Sequence, residues 1–551
     1  MAGRATLTGL LDDVVRRHGA DVALVEPAGA AARRLTYDEL WADSRATAEV
    51  LAGHGVRRGD VVGVWLPNWI ESVVLQFAVA DLGAAALGIN TRYGVHELAH
   101  LLLAARPVGV VVPASFHGLD FAGRLEAAIA RARTTAPDLR LPWVATVGRP
   151  DDRPAELLEI GGGSWLMRTG AAGPVAPAGA GAGEPSDAVS YFTTSGSTGL
   201  PKLAGHDQRS VVTHARNVAA ALDMHPGDVF LSALPLSGVF GFNPTMAMLS
   251  AGGCCVLEPV FEAAGVVADL ERFRVTHVVG GDDLLGRVMD AAQQRPCDLS
   301  ALRRGGIADF AGRMSEVVEW AQDAAGAEIS GLYGSSELFS LTALWPPGRS
   351  LPDRSRGGGR VVSPDIAVRV VGLDGAELPT GETGELQFTG YNVLTCYLGD
   401  ASGQQLLTSD GWFRSGDLGH LTGAPGEFVF TCRAGDALRL RGFLVEPAEI
   451  ERFLSEHPSV AQAKVVGATD AAGRDHAIAY VTSADQPRAD SEALMEYCRA
   501  HLAPFKVPSR LRILTSFPTT TGTNGEKIRT AELRAWAAED LSTPAPKGAA
   551  P

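Results

Sequence analysis

The stretch Tyr191-Phe-Thr-Thr-Ser-Gly-Ser-Thr-Gly-Leu-Pro-Lys202 runs from an apolar segment beginning at Val189 into small hydroxyl and glycine residues, and it ends on one lysine. Such a run suits phosphate binding. Gly196 and Gly199 let the backbone approach an anion, Thr193, Thr194, Ser195, Ser197 and Thr198 offer hydroxyl donors, and Lys202 supplies positive charge. The spacing is not that of a P-loop: Leu200-Pro201 precedes the lysine where a glycine would stand, and no Ser or Thr follows it to hold magnesium. A different nucleotide-binding architecture is required. A Ser/Gly-rich surface linker is the competing reading, and the direct continuation from an apolar strand argues against it.

Working outward, Leu7–His18 reads as an amphipathic helix with Leu10, Leu11, Val14 and Val15 on one face, and Thr36 as the cap of a second helix. Residues 59–67 read as a buried strand, 71–82 as a helix, and 83–90 and 108–112 as further strands. The alternation is the mark of a mainly parallel sheet covered by helices, an α/β fold. The Ala/Gly/Pro-rich segment 161–186 reads as a solvated low-complexity loop. Beyond Lys202 come a helix over 209–222, a buried strand over 228–236, the segment Ser237-Gly-Val-Phe-Gly241, and strands over 249–259 and 275–281. Gly331-Leu-Tyr-Gly-Ser-Ser-Glu337 then sets one aromatic, two hydroxyls and a carboxylate on a turn after a strand, the usual ligand edge of an open α/β sheet. Gly411-Trp-Phe-Arg-Ser-Gly-Asp417 ends in an acid suited to accept from sugar hydroxyls.

A chain of 551 residues favours two or more domains. With 46% hydrophobic residues its composition is globular, and no apolar run reaches bilayer-spanning length. The first residues lack an extended apolar stretch, so no secretory signal and a cytoplasmic protein are expected. Six cysteines without a CxxC pair indicate neither a disulfide framework nor a zinc site, and the thirteen histidines show no metal-ligand spacing. A net charge of −15 argues against a general nucleic-acid binder. No GxSxG elbow supports a serine hydrolase.

These motifs, in this order, resemble those of the adenylate-forming superfamily of acyl-CoA synthetases, peptide-synthetase adenylation domains and luciferases. Residues 192–202 resemble its phosphate loop, Tyr333-Gly334-Ser335-Ser336-Glu337 its adenine and magnesium motif, and Gly384-Glu-Leu with 411–417 its ribose region. Residues 433–451 resemble its hinge segment, with Asp436 at the hinge position, and Thr521-Gly-Thr-Asn-Gly-Glu-Lys527 its carboxy-terminal lysine loop. The resemblance implies a large multi-subdomain adenylating domain over 1–434, a small mobile α/β lid over 435–541 and a disordered tail over 542–551.

It also implies chemistry: a carboxylate attacks the α-phosphate of ATP and pyrophosphate leaves, so negative charge collects on the phosphoryl oxygens. Lys527 would meet the α-phosphate and the carboxylate, while residues 193–198, with Thr194 among the catalytic groups, would hold the leaving phosphates. Glu337 would take a Mg2+ ion, Tyr333 would pack on adenine, Asp417 would accept from the ribose and Arg433 would support the sugar. Ser237, Gly238, Phe240, Phe242 and Gly306 would line the acyl pocket. Here the sequence departs from the family. Many relatives carry an aromatic-histidine pair at Ser237-Gly238, a glycine at Leu203 and a lysine at Gly435. The expected acceptor of the acyl group is CoA, and the chemistry admits both aliphatic and aromatic acids. Two alternatives keep the adenylating site: a diazotase of secondary metabolism that activates nitrite and delivers it to an aryl amine, and transfer to a separate carrier protein.

Overall fold

The apolar runs Val61–Val64, Ala85–Gly88 and Gly109–Pro113 are fully buried strands, and their lack of polar alternation is what a sheet covered on both faces demands. They pair in parallel, joined by Trp143–Val147 and Ala188–Thr194, in an 8-stranded sheet. The computed structural model describes residues 5–28, 31–148, 164–167, 183–194, 202–295, 297–399, 407–434, 438–440, 443–445, 447–470, 475–484, 486–502, 506–522 and 525–542, with backbone only for 525–527 and a few other positions.

A 13-stranded sheet holds the second parallel run, in which Glu328–Tyr333, Arg304–Ala308, His277–Gly281, Val229–Ser232, Cys254–Leu257 and Val22–Ala28 are successive neighbours. Helix Ile70–Asp81 packs between the two sheets, touching strands of both, and every one of its residues is buried. Thr36 caps the helix Tyr37–Gly53 with a reciprocal capping box to Glu39, as its spacing predicts. After Tyr333 the large sheet turns antiparallel out to its edge strand Ile366–Val371, and within it Phe413–Leu421 and Glu427–Arg433 pair so that Asp417 faces Arg433. At the carboxy end a 3-stranded sheet of Val460–Thr469, Asp475–Ser483 and Arg510–Leu514 is covered on both faces. Ala477, Ala479 and Val481 pack on Leu438, Ile450 and Leu454, and the intervening Ile478 and Tyr480 pack on Leu533 and Ala537.

Several expectations are corrected. Within 161–186, Ser164–Met167 is a strand that extends the 8-stranded sheet beside Trp143–Val147, since a short apolar run can add to an open edge whatever its flanks. The segment 249–259 opens with the end of a helix, Val239–Ala251, and only Cys254–Leu257 is strand. That helix is buried on every side through Leu249 and carries no amphipathic period, so its Gly and Pro residues mask it. The lysine loop is a hairpin, Thr519–Gly522 with Gly525–Ile528, in which Lys527 stands on the second strand opposite Thr520; Asp417 lies within the strand Phe413–Leu421. Asp436, Ser195, Gly196, Ser197, Thr198, Gly199 and the tail from 543 lie outside the described residues.

Candidate active site

Two paired strands flank the phosphate stretch. Ala188–Thr194 runs parallel to its neighbour, and Lys202–Asp207 returns antiparallel, so Thr194 and Lys202 face each other at the mouth of residues 195–201. Thr193 and Thr194 are buried there. The Tyr93 hydroxyl donates to Thr193 Oγ1 at 2.9 Å, and burial raises the Tyr93 pKa, keeping it a neutral donor. A short strand, Cys396–Tyr397, pairs against the returning limb. Gly205 permits this closeness, because a Cβ at that position would come within 2.7 Å of the Tyr191 ring.

Tyr397 links this mouth to the acid turn. Its hydroxyl donates to Glu337 Oε1 at 2.7 Å, and Lys202 Nζ sits 5.0 Å from its ring centroid, a cation–π distance. A lysine, an aromatic ring and a carboxylate separated by up to 195 residues therefore form one chain of contacts.

Tyr333 ends its strand inside an aromatic cluster. Its ring stacks on Phe388 at 5.3 Å and meets Phe428 edge-on at 5.2 Å, leaving 5% of the residue exposed. Its hydroxyl donates to Asp417 Oδ2 at 2.6 Å. Arg433 Nε stands 2.9 Å from the other oxygen, Oδ1, off hydrogen-bond geometry, so Oδ1 is buried without a hydrogen-bond partner. Burial raises the Asp417 pKa and the Arg433 charge only partly opposes it. A buried carboxylate oxygen with a charge partner but no hydrogen-bond donor keeps acceptor capacity for hydroxyl donors.

The segment expected to shape the acyl pocket is fixed from behind by Asn68. Its Nδ2 donates to the carbonyls of Ser232 and Leu234 at 3.0 and 2.9 Å, and its Oδ1 accepts from Leu236 N–H at 2.9 Å. Ser237 crosses so close to Gly88 that a Cβ there would lie 2.4 Å from its carbonyl. Gly238 precedes the helix Val239–Ala251, in which Phe240 is 5% exposed and Phe242 fully buried between Phe192 and Phe339. Gly306 lies one strand away, where a Cβ would press on Leu332. Sequence reasoning missed Tyr93, Tyr397 and Asn68: each is an ordinary residue in its local pattern, and only long-range packing gives it a partner.

His206 is fully buried, donates from Nε2 to Ser336 O at 2.8 Å, and has its pKa lowered by desolvation to about 4 from an ordinary 6.5. The unfolded chain therefore binds this proton before the folded one does, and stability falls as pH drops from 6.5 toward 4. His206→Gln, which can keep the donor, is expected to flatten the pH dependence of the unfolding free energy over that window, by up to about 1.4 kcal/mol per pH unit. Urea denaturation of both proteins at pH 7, 6 and 5 measures it.

The amino-terminal family model described as AMP-binding enzyme matches residues 11–398, and the AMP-binding enzyme C-terminal domain matches residues 449–525. The chain is 30% identical over 512 residues to a feruloyl-CoA synthase from Amycolatopsis, covering 91% of this chain and 93% of that protein. It is 28% identical to an indoleacetate–CoA ligase from Aromatoleum aromaticum, covering 89% and 91%. The fold matches ATP-bound MatB from Rhodopseudomonas palustris with a TM-score of 0.82 over 98% of this chain and 99% of that one, at 24% identity. Among the described residues no helix is long and apolar enough to cross a membrane.

Proposed function

The chain belongs to the AMP-binding enzyme family, and from that premise we propose that it activates a carboxylic acid with ATP as an acyl-adenylate, releases pyrophosphate, and transfers the acyl group to the thiol of CoA. The observation that carries the reading is the convergence of Lys202, Tyr397 and Glu337 at the hairpin mouth, one short turn from Tyr333 and Asp417.

ATP fits these residues. The bare Oδ1 of Asp417 would accept from ribose hydroxyls, with Tyr333 and Arg433 holding the carboxylate in place. Thr193, Thr194, the loop 195–199 and Lys202 would hold the phosphates that depart as pyrophosphate, and Lys527 would meet the α-phosphate and the attacking carboxylate. Glu337 would be the protein ligand of Mg2+. Among the described residues no group of three His, Cys, Asp or Glu side chains could hold a metal by itself, and a single carboxylate suits a cation that arrives on nucleotide phosphates. Bound there, the ion would neutralise phosphate charge. The acid would lie along Ser237, Gly238, Phe240, Phe242 and Gly306, where Ser237-Gly238 replaces the two bulky side chains of many relatives. Two relatives are named for indoleacetate and ferulate, so aromatic acids head the candidates.

A substrate screen reading AMP release tests this proposal. AMP is expected only when an organic acid, ATP, Mg2+ and CoA are present together, with the acyl-CoA as co-product. AMP formation with nitrite plus an aryl amine, and none with any acid and CoA, would overturn it.

A further inference from the structure

The backbone just after Glu337 does something found nowhere else among the described residues. Phe339, Ser340 and Leu341 have φ of +59°, +49° and +34°, three consecutive non-glycine residues in the left-handed region. The other non-glycine residues with positive φ, Arg106, His117, Asp223 and Arg274, are isolated. In this region Cβ crowds the carbonyl oxygen, so the surrounding structure must impose such a run.

Buried donors impose it, one carbonyl at a time. His206 Nε2 reaches Ser336 O at 2.8 Å, Asn392 Nδ2 reaches Leu338 O at 3.0 Å, Asn243 Nδ2 reaches Phe339 O at 2.7 Å and His214 Nε2 reaches Ser340 O at 2.9 Å. The main-chain N–H of Leu394 takes the remaining carbonyl, Glu337 O, at 2.7 Å. A carbonyl only accepts, so both imidazoles carry their proton on Nε2, and burial keeps each neutral, with pKa lowered to about 4. The four side chains come from separate places: the returning limb of the hairpin, helix Gln208–Ala221, helix Val239–Ala251, and the segment after strand Gly384–Gly390. All four are 0% exposed.

Three of them satisfy only their donor. His206 Nδ1, Asn243 Oδ1 and Asn392 Oδ1 are buried with no hydrogen-bond partner. An apolar residue of similar size would fill each position without leaving an acceptor bare, so the polar group earns its place by what it donates to this turn.

We propose that His206, His214, Asn243 and Asn392 are positioning residues. They hold the left-handed turn, and through it the main chain of 335–337, so that the Glu337 carboxylate stands fixed beside Tyr397 and the hairpin mouth to meet a nucleotide-bound divalent cation. The inference rests on the ATP-binding reading given above and assigns the precision of that site to a shell that never touches the ligand.

Asn243→Leu removes the donor and keeps the branching at Cγ, with a larger apolar side chain. Exchange of pyrophosphate into ATP, dependent on the acid, is expected to fall about 10²-fold in kcat, the scale of an ångström-level misplacement, with a higher Mg2+ midpoint. Calorimetry with α,β-methylene ATP is expected to show weaker binding in Mg2+ and unchanged binding without it. Adding Ser340→Gly, which occupies the left-handed region freely, is expected to restore part of the loss. His206→Gln should retain more activity than His206→Leu, and this pair makes the same comparisons if Asn243→Leu does not fold. The proposal is overturned if the folded variant matches wild type in Mg2+ midpoint and rate, if analogue binding weakens equally with and without Mg2+, or if Ser340→Gly restores nothing. Wild-type protein that exchanges pyrophosphate with no acid would instead overturn the functional reading, and the calorimetric arm, which needs only nucleotide and Mg2+, would still decide the positioning role.

Discussion

Lys527→Ala is expected to lower acid-dependent exchange of pyrophosphate into ATP by at least about 10²–10³-fold, the scale for losing one donor aimed at a developing oxyanion. When a carboxylate attacks the α-phosphate, two anions approach each other and charge grows on the phosphoryl oxygens, so a cation at that point lowers the barrier more than it tightens ground-state binding. We assign that charge to Lys527, which stands on a strand of the carboxy-terminal hairpin paired to Thr520. The hairpin lies against helix Asp282–Gln294, so the carboxy-terminal part already touches the large domain. The expected signature is a fall in kcat with little change in the binding of ATP, and an unaltered thermal midpoint. Full exchange activity in the variant would remove Lys527 from the chemistry. Lys527→Arg is expected to recover little, because a planar fork and a point charge do not place their donors alike.

The second large effect is expected at Asp417. Asp417→Ala removes the only anion of the Tyr333–Asp417–Arg433 group and with it the Oδ1 acceptor proposed for the ribose, each hydrogen bond to a charged group contributing about 1.5–3 kcal/mol. ATP binding, measured by calorimetry, is expected to weaken by about 10²-fold or more. Here the loss falls on binding, in contrast to Lys527. Tyr333→Phe leaves the aromatic packing against Phe388 and Phe428 and deletes only the hydroxyl on Oδ2, so its effect is expected to be smaller. Burial raises the Asp417 pKa, and the proton competes with hydroxyl donors for the carboxylate. ATP affinity is therefore expected to decline, as pH falls, at a higher pH than an ordinary aspartate would give. Equal ATP affinity in Asp417→Ala and wild type would exclude the ribose role.

Much of the scaffold was legible because local rules and tertiary packing agree. Leu7–His18 is a helix with Leu7, Leu10, Leu11 and Val14 buried, as its period requires, and Ser491–His501 follows its Asp490 cap. Reading failed where burial removed the pattern. Val239–Ala251 is apolar all round and contains Pro244, so neither periodicity nor propensity marks it as a helix. Within the site, Thr194, Lys202, Glu337 and Asp417 stood out as chemistry-bearing residues in short glycine-containing motifs. Tyr397 follows a cysteine in a segment without such a signal, yet it joins Lys202 to Glu337.

The sequence by itself determined the parts: an α/β chain, a hydroxyl and glycine run ending in lysine, and acids at 337 and 417 in an order that resembles one family. These follow from composition, spacing and short-range backbone preference, which are written locally. Only the tertiary structure decided that paired strands flank the phosphate run with Thr194 facing Lys202, that Tyr333 spends its ring on core packing and its hydroxyl on Asp417, and that the turn after Glu337 is left-handed. Each depends on partners 8 to 130 residues away. A strained backbone or a buried hydroxyl is stable only when those partners close around it, and no local stretch of the chain contains them.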